Sequence, residues 1–513
     1  MHQSTKPTNP IEKYFSVINL YHYYFFFILF LSKVPVFWHF LSLIFLSPPM
    51  DFYCNNTILI AVNESHKNIC PCEDPWWDKS LFTETVQTKF DLYCDKKWIV
   101  SFTQSVLYTG TLIGSIFFGI LSDKYGRRFA CTAAVALLAI SGCSLSLMPN
   151  ITSFIIMRCI EGISAGGYIV AGFVFVVEHC GPNNREIVSA LYHVPFNLGH
   201  ISLAGVSYLL RNCDHFQIAI SIPVGVFVTI RCLTMESPKW LMDQGQIEKA
   251  AVVMEKISKF NRKPHGSFKG EIEEYTAKRT ARSGHMHFIE IFKHRRLLLN
   301  LCCMSAIYFV CGIGFYGVSQ YIGQMSRDIH KNIAISGILL VPASISAIFL
   351  LKILCRRTLL MITTFLSGVF MITVVFIPAH LTLLRVIFAC ICDCFFFMAF
   401  ITAFLFGVEL FPTSVRSSAL GFLSLMSRFG QIVAPPLNSL PEFVTGLTFG
   451  ILAICGAALC YPLPETKNID LPSSLEDTKT LNKKNTLGDL EKPMDGQSTD
   501  IDKPDTSKKN LNK

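Results

Sequence analysis

An apolar run long enough to cross a lipid bilayer recurs twelve times in this chain of 513 residues, and no other feature limits its fold so tightly. A helix crossing a bilayer core needs roughly 18 or more apolar residues. The runs cover residues 20–46, 98–121, 129–148, 153–177, 187–210 and 216–235, then 297–316, 333–354, 358–377, 381–408, 417–437 and 443–463. The first is too long for a secretory signal and lacks a small-residue cleavage site. Composition agrees: 51% of residues are hydrophobic, only 16% are charged, and mean hydropathy is +0.43. A soluble domain carries roughly 25% charged residues. The expectation is an all-α membrane protein with both termini on one side.

Charge distribution orients the chain. The net charge of +9 does not point to nucleic acid, because the basic residues lie between apolar runs. Thirteen Lys and Arg residues fall between positions 237 and 296, and Arg127, Arg128, Arg356 and Arg357 lie on the same face. The positive-inside rule makes that face, and both termini, cytoplasmic. The opposite face carries one large loop, 47–97, with Cys54, Cys70, Cys72 and Cys94 and glycosylation sequons at Asn55 and Asn63. These are disulfide and glycosylation candidates in an oxidising exterior, with the pairing left open. A further sequon, Asn150, lies close to the bilayer. Most other cysteines sit in apolar runs, where packing explains them.

The two halves repeat each other. Arg127-Arg128 recur as Arg356-Arg357 after 229 residues, and Glu178/Arg185 recur as Glu409/Arg416 after 231. Arg158 matches Arg385 at 227, and Glu236 matches Glu465 at 229. Each repeat holds six spans, an even number, so the halves point the same way. Parallel six-span halves are the architecture of the major facilitator superfamily. The expected layout is a first half over 1–236, a cytoplasmic central loop over 237–296, a second half over 297–466, and a disordered cytoplasmic tail over 467–513.

The loop residues resemble that superfamily. Gly119-Ile-Leu-Ser-Asp123-Lys-Tyr-Gly126-Arg127-Arg128 is similar to its G-x-x-x-D-x-x-G-R-R signature. Gly126 permits a tight turn, and Asp123 can cap or pair across to the other half. The arginines sit at the headgroup level, where positive charge is favoured. Asp123, Gly126, Arg127, Arg128, Glu178, Arg185, Arg356, Arg357, Glu409 and Arg416 are therefore candidate gating residues.

A closer resemblance spans residues 54–471. Trp77-Asp78, Phe90-Asp91-Leu92-Tyr93-Cys94, Glu236-Ser237-Pro238-Lys239-Trp240-Leu241 and Glu409-Leu410-Phe411-Pro412-Thr413 resemble the organic cation, organic anion and carnitine transporters, the solute carrier family 22. The resemblance implies uniport, exchange or ion-coupled transport of small organic ions, with Na⁺ or H⁺ as a possible coupling ion, at the plasma membrane. It implies no cofactor. No phosphate-cradling G-x-x-x-x-G-K-[ST] loop or H-E-x-x-H motif occurs in the sequence, which argues against a pump or a membrane enzyme.

Ionisable residues within spans point to substrate. Arg428 lies twelve residues beyond Arg416, about 18 Å along a helix and near the midplane. Anion and carnitine transporters of the family have Arg at the matching position, which favours a carboxylate-bearing substrate. Asp393 stands where the family usually has a base, and Leu340 and Ser344 replace charged residues of span eight. Asp393 is expected to find either Arg428 or a substrate ammonium. One fixed positive and one fixed negative group would suit a zwitterion such as a carnitine-like compound. Phe315, Tyr316 and Tyr308 are candidate cation–π contacts. The alternatives are an organic cation transporter using Asp393, and a non-transporting receptor or sensor on the same scaffold. His193, Asn197 and His200 of span five are set aside for want of a charge partner.

Overall fold

Each apolar run forms a helix, and the helices end where polar or turn-forming residues interrupt it. The computed structural model describes residues 9–54, 68, 70–72, 74–263, 267–280, 288–325, 328–412 and 415–467. The first-half helices are α1 (Leu20–Leu46), α2 (Trp98–Tyr125), α3 (Arg127–Leu145), α4 (Ile151–Glu178), α5 (Val194–Leu209) and α6 (Cys213–Val226). The second half holds α7 (Arg295–Gln324), α8 (Ile329–Ile353), α9 (Arg356–Phe376), α10 (Thr382–Leu410), α11 (Arg416–Asn438) and α12 (Glu442–Leu459). Among the described residues, ten helices are long and apolar enough to cross a membrane.

Spans five and eleven fall outside that ten. The fifth apolar run is divided: Pro182–Leu191 ends before Tyr192-His193, and α5 restarts at Val194 with Pro195 in its first turn. A proline at that position cannot continue the preceding hydrogen-bond ladder but is well placed to start a new helix. In span eleven, Arg416, Arg428, several serines and the Pro435-Pro436 pair dilute the apolar sequence. The sixth run is shorter than expected as an α-helix, since a 3₁₀ turn, Phe227–Thr229, follows α6.

The repeat seen in sequence is visible in packing. In the first half α1 packs on α5, α2 on α4, and α3 on both α4 and α6. In the second half α7 packs on α11, α8 on α10, and α9 on both α10 and α12. The halves meet where α5 lies on α8 and α2 on α11. Glycine makes the tightest of these contacts: a Cβ on Gly162 of α4 would collide with the Leu107 carbonyl of α2. Small residues allow that backbone approach in a bilayer, where packing replaces the hydrophobic effect as the force between helices.

The loop before α2 is a small disulfide-bonded unit. Phe52–Cys54 pairs antiparallel with Pro75–Trp77, with Phe52 opposite Trp77. Cys54 bonds Cys72, and Cys70 bonds Cys94. Asn55 and Asn63 lie outside the described residues. Asn150 caps α4, its side chain accepting from the Ser153 N–H at 2.9 Å. The Cys70–Cys94 bridge closes a loop with a sequence separation of 24, so breaking it with Cys70→Ser should cost about 3 kcal/mol by loop entropy. Thermal unfolding of the purified protein, without and with reductant, checks this: the oxidised variant should unfold below wild type, and reductant, which opens the Cys54–Cys72 bridge too, should lower both further.

The segment expected as a loop at 237–296 contains helices Pro238–Asp243, Ile247–Phe260 and Phe268–Thr280. They pack against Pro10–Phe15, with Tyr14 edge-on to Phe268 at 5.5 Å. Burial opposes the charge of Glu12, yet Lys239 at 2.9 Å and Arg185 at 3.2 Å hold its carboxyl below the usual range. Most of the expected tail, 468–513, lies outside the described residues.

Candidate substrate site

Two matching charge clusters close the basic end of each half. Arg127 opens α3 and bonds Glu178 of α4 at 2.9 Å; Arg356 opens α9 and bonds Glu409 of α10 at 3.3 Å. Glu236 accepts the backbone N–H groups of Arg127 and Arg128 at 2.9 and 3.1 Å. Glu465 does the same for Arg356 and Arg357 at 2.8 and 3.1 Å. Each glutamate thus meets the positive end of a helix dipole and satisfies otherwise unpaired donors. Gly126, with φ 102°, makes the turn into α3, and a Cβ there would strike the Glu236 carboxylate.

Of the two roles open to Asp123, capping or pairing across to the other half, the structure does not show the second. The Asp123 carboxylate bonds Arg127 one helical turn away, within the first half. Arg128 donates to the Thr234 carbonyl, and Arg357 to that of Leu463, both at 3.3 Å. Arg185 goes to Glu12 rather than Glu178, while Arg416 donates to the Phe411 carbonyl at 3.1 Å. Arg185 and Arg416, from opposite halves, also interact as like charges.

The two halves join at the face bearing the cysteine loop. Ser105 of α2 donates to the Ile432 carbonyl of α11 at 2.9 Å. Ser207 of α5 bonds His330 of α8 at 3.2 Å, and the His330 ring stacks on Phe45 and Phe82. Deeper in, Asn197 donates to the Leu340 carbonyl and Ser344 hydroxyl of α8. Two positions set apart in sequence, Asn197 and Ser344, are thus partners across the interface.

Between the halves lies an aromatic group drawn from four helices. Phe196 of α5 meets Phe37 of α1, Phe315 and Tyr316 of α7, and Phe397 of α10. Tyr316 lies edge-on to Tyr108 of α2 at 5.7 Å. Tyr308 is not brought to this group. It sits in a separate core toward the basic end, its hydroxyl donating to the Ala403 carbonyl at 3.2 Å.

Arg428 is half-buried and lies about halfway along α11. It donates to the Gln431 side chain on its own helix at 3.1 Å and interacts electrostatically with the Tyr316 and Tyr108 phenols. Asp393 is fully buried and accepts from Ser319 and Ser336, each at 3.1 Å. Asp393 and Arg428 do not pair with each other, and neither has a salt-bridge partner among the described residues. The expected choice for Asp393 between Arg428 and a substrate thus loses its first branch.

Two features escaped the sequence reading. Lys33 in α1 is 4% exposed, with its ammonium bonded to the Tyr192 carbonyl and 3.5 Å from the centre of the Tyr192 ring. Glu161 in α4 is also buried, bonding Arg158 at 2.7 Å, Gln217 at 3.0 Å and the His39 ring. The rule that flagged Arg428 flags Lys33 equally, because each is ionisable inside an apolar run.

Comparison with known proteins supports the architecture. The family model described as "Sugar (and other) transporter" matches residues 67–475. "Solute carrier family 22 member 20" of Mus musculus is 28% identical over 417 residues, covering 79% of this chain and 74% of its own. "Solute carrier family 22 member 13" of Homo sapiens is 28% identical over 439 residues, 85% of this chain and 78% of that protein. The inward-open xylose transporter XylE from E. coli superposes with a TM-score of 0.64 at 17% identity, covering 90% of this chain and 100% of that one. The chain therefore belongs to the sugar (and other) transporter family, as a multi-pass membrane transporter of the major facilitator fold similar to solute carrier family 22 members.

Proposed function

We propose that the protein carries small organic ions bearing a carboxylate, monocarboxylates or carnitine-like zwitterions, by alternating access. The observation that carries this reading is Arg428: a half-buried cation midway along α11, near the Tyr316 and Tyr108 phenols, without a carboxylate partner among the described residues. An unpaired guanidinium in a bilayer is costly unless something compensates it, and a substrate carboxylate would do so through two parallel hydrogen bonds. Phe315, Tyr316, Phe196 and Phe397 would bury the substrate's apolar body. In this reading the basic face is cytoplasmic, both termini are cytoplasmic, and the cysteine loop faces outward at the plasma membrane. The clusters around Arg127 and Arg356 would brace each half as the two rock against each other.

One observation favours a second reading. Among the described residues Asp393 is bonded only by serine hydroxyls, so a substrate ammonium would complete it, as in an organic cation carrier. Uptake of labelled benzoate, carnitine and tetraethylammonium by cells displaying the protein separates the two. Benzoate or carnitine uptake supports the carboxylate reading; tetraethylammonium alone moves the site to Asp393. Uptake of none, despite surface display, favours a receptor or sensor on this scaffold.

A further inference from the structure

We propose that Lys33 is a second substrate anchor and that it sets the carried species as an organic monocarboxylate, an inference that rests on the transport reading above. Lys33 lies thirteen residues into α1 and Arg428 twelve into α11, so the two cations stand about 20 and 18 Å along their helices from the basic end. They come from opposite halves at similar depth. Lys33 is also at the seam between halves rather than toward lipid. Its ring partner Tyr192 packs on Phe173, and Phe173 is edge-on to Phe404 of α10 at 5.1 Å. One turn along α1, Phe37 joins the aromatic group around Phe196 and Tyr316.

Charge balance turns this placement into a substrate class. The buried Arg158 and Glu161 cancel each other. Lys33, Arg428 and Asp393 have no salt-bridge partner among the described residues. Their charges sum to +1. A bound monocarboxylate brings the interior to zero, whereas a zwitterion leaves +1 and a cation +2. Isolated charge in low dielectric is expensive, so the neutral combination is the one that crosses most readily. An apolar body suits the surrounding rings, and a carboxylate offsets the excess positive charge.

A competing role for Lys33 is purely structural. Its ammonium bonds the carbonyl of Tyr192, where the helix before α5 is interrupted, and could serve only to satisfy that group. Lys33→Gln separates the two roles, because an amide N–H still reaches a carbonyl while the charge is gone. Uptake per surface copy of benzoate, carnitine and tetraethylammonium is measured for wild type, Lys33→Gln and Lys33→Arg. The expected result is benzoate as the best substrate of wild type. Lys33→Gln should cut benzoate uptake at least tenfold and leave tetraethylammonium unchanged or raised, and Lys33→Arg should restore at least a third of the benzoate rate. Equal loss for all three compounds in Lys33→Gln, or unchanged benzoate uptake, overturns the proposal. So does a wild type that carries carnitine or tetraethylammonium but not benzoate, which leaves the general transport reading standing. If wild type carries nothing, that reading fails and thermal unfolding of the purified protein decides Lys33. Stabilisation by millimolar benzoate in wild type, absent in Lys33→Gln, supports the anchor, and no stabilisation overturns it.

Discussion

Replacing Arg428 with alanine is expected to cut uptake of a carboxylate substrate by at least about 100-fold while the protein still folds and reaches the cell surface. Hydrogen bonds to a charged group are worth about 1.5–3 kcal/mol each, and the carboxylate would lose both at once. The retained fold follows from what Arg428 does not do. It donates to Gln431 on its own helix, and no acidic group among the described residues depends on it. Removing it therefore strands no buried anion. Arg428→Lys keeps the charge but not the planar fork, so an intermediate loss of roughly tenfold is expected. The measurement is initial uptake of labelled benzoate against concentration, normalised to surface protein, with tetraethylammonium uptake as the control. A raised KM at unchanged surface level is the expected signature. Unchanged benzoate kinetics in Arg428→Ala would remove Arg428 from the substrate path.

The sequence is most readable where a property is summed over many residues. All twelve apolar runs became helical, and ten of the helices among the described residues are long and apolar enough to cross a membrane; the two exceptions have local causes, the interruption at Tyr192-His193 before Pro195 and the polar content of α11. Repetition was equally legible. Arg127, Glu178 and Glu236 share spacing with Arg356, Glu409 and Glu465, and the two sets make equivalent bonds. Pairing was less accessible, because partners across helices carry no sequence signal. Asp123 turned to Arg127 instead of the opposite half, and Tyr308 to Ala403 instead of the aromatic group. Lys33 was hidden by the same averaging that revealed its span, since one lysine barely alters the hydropathy of 27 residues. Arg428 stood out as an ionisable residue near the middle of a span, at a position where the family also places a charge.

Glu161 presents the opposite case to Arg428, and its loss should fall on stability rather than on selectivity. The residue is fully buried in α4 and gathers three groups from three helices: Arg158 of its own turn, the His39 ring of α1, and Gln217 of α6. Arg158 is itself fully buried and also donates to the Ser42 hydroxyl at 3.0 Å. Glu161→Ala leaves that guanidinium without its anion in the membrane interior. Breaking a buried pair by removing one partner costs about 3–5 kcal/mol, and here α1, α4 and α6 would lose a shared junction. The expected outcome is a sharp fall in surface protein and a lowered unfolding temperature in detergent. Removing both charges with Arg158→Met and Glu161→Leu should recover much of that loss, because a buried pair replaced by apolar residues of similar volume is often close to neutral. A double-mutant cycle on unfolding temperature measures the coupling directly. If the double variant is no better than Glu161→Ala, the cost lies with His39 and Gln217 rather than with the stranded arginine. If Glu161→Ala itself is as stable as wild type, the cluster does not hold the first half together.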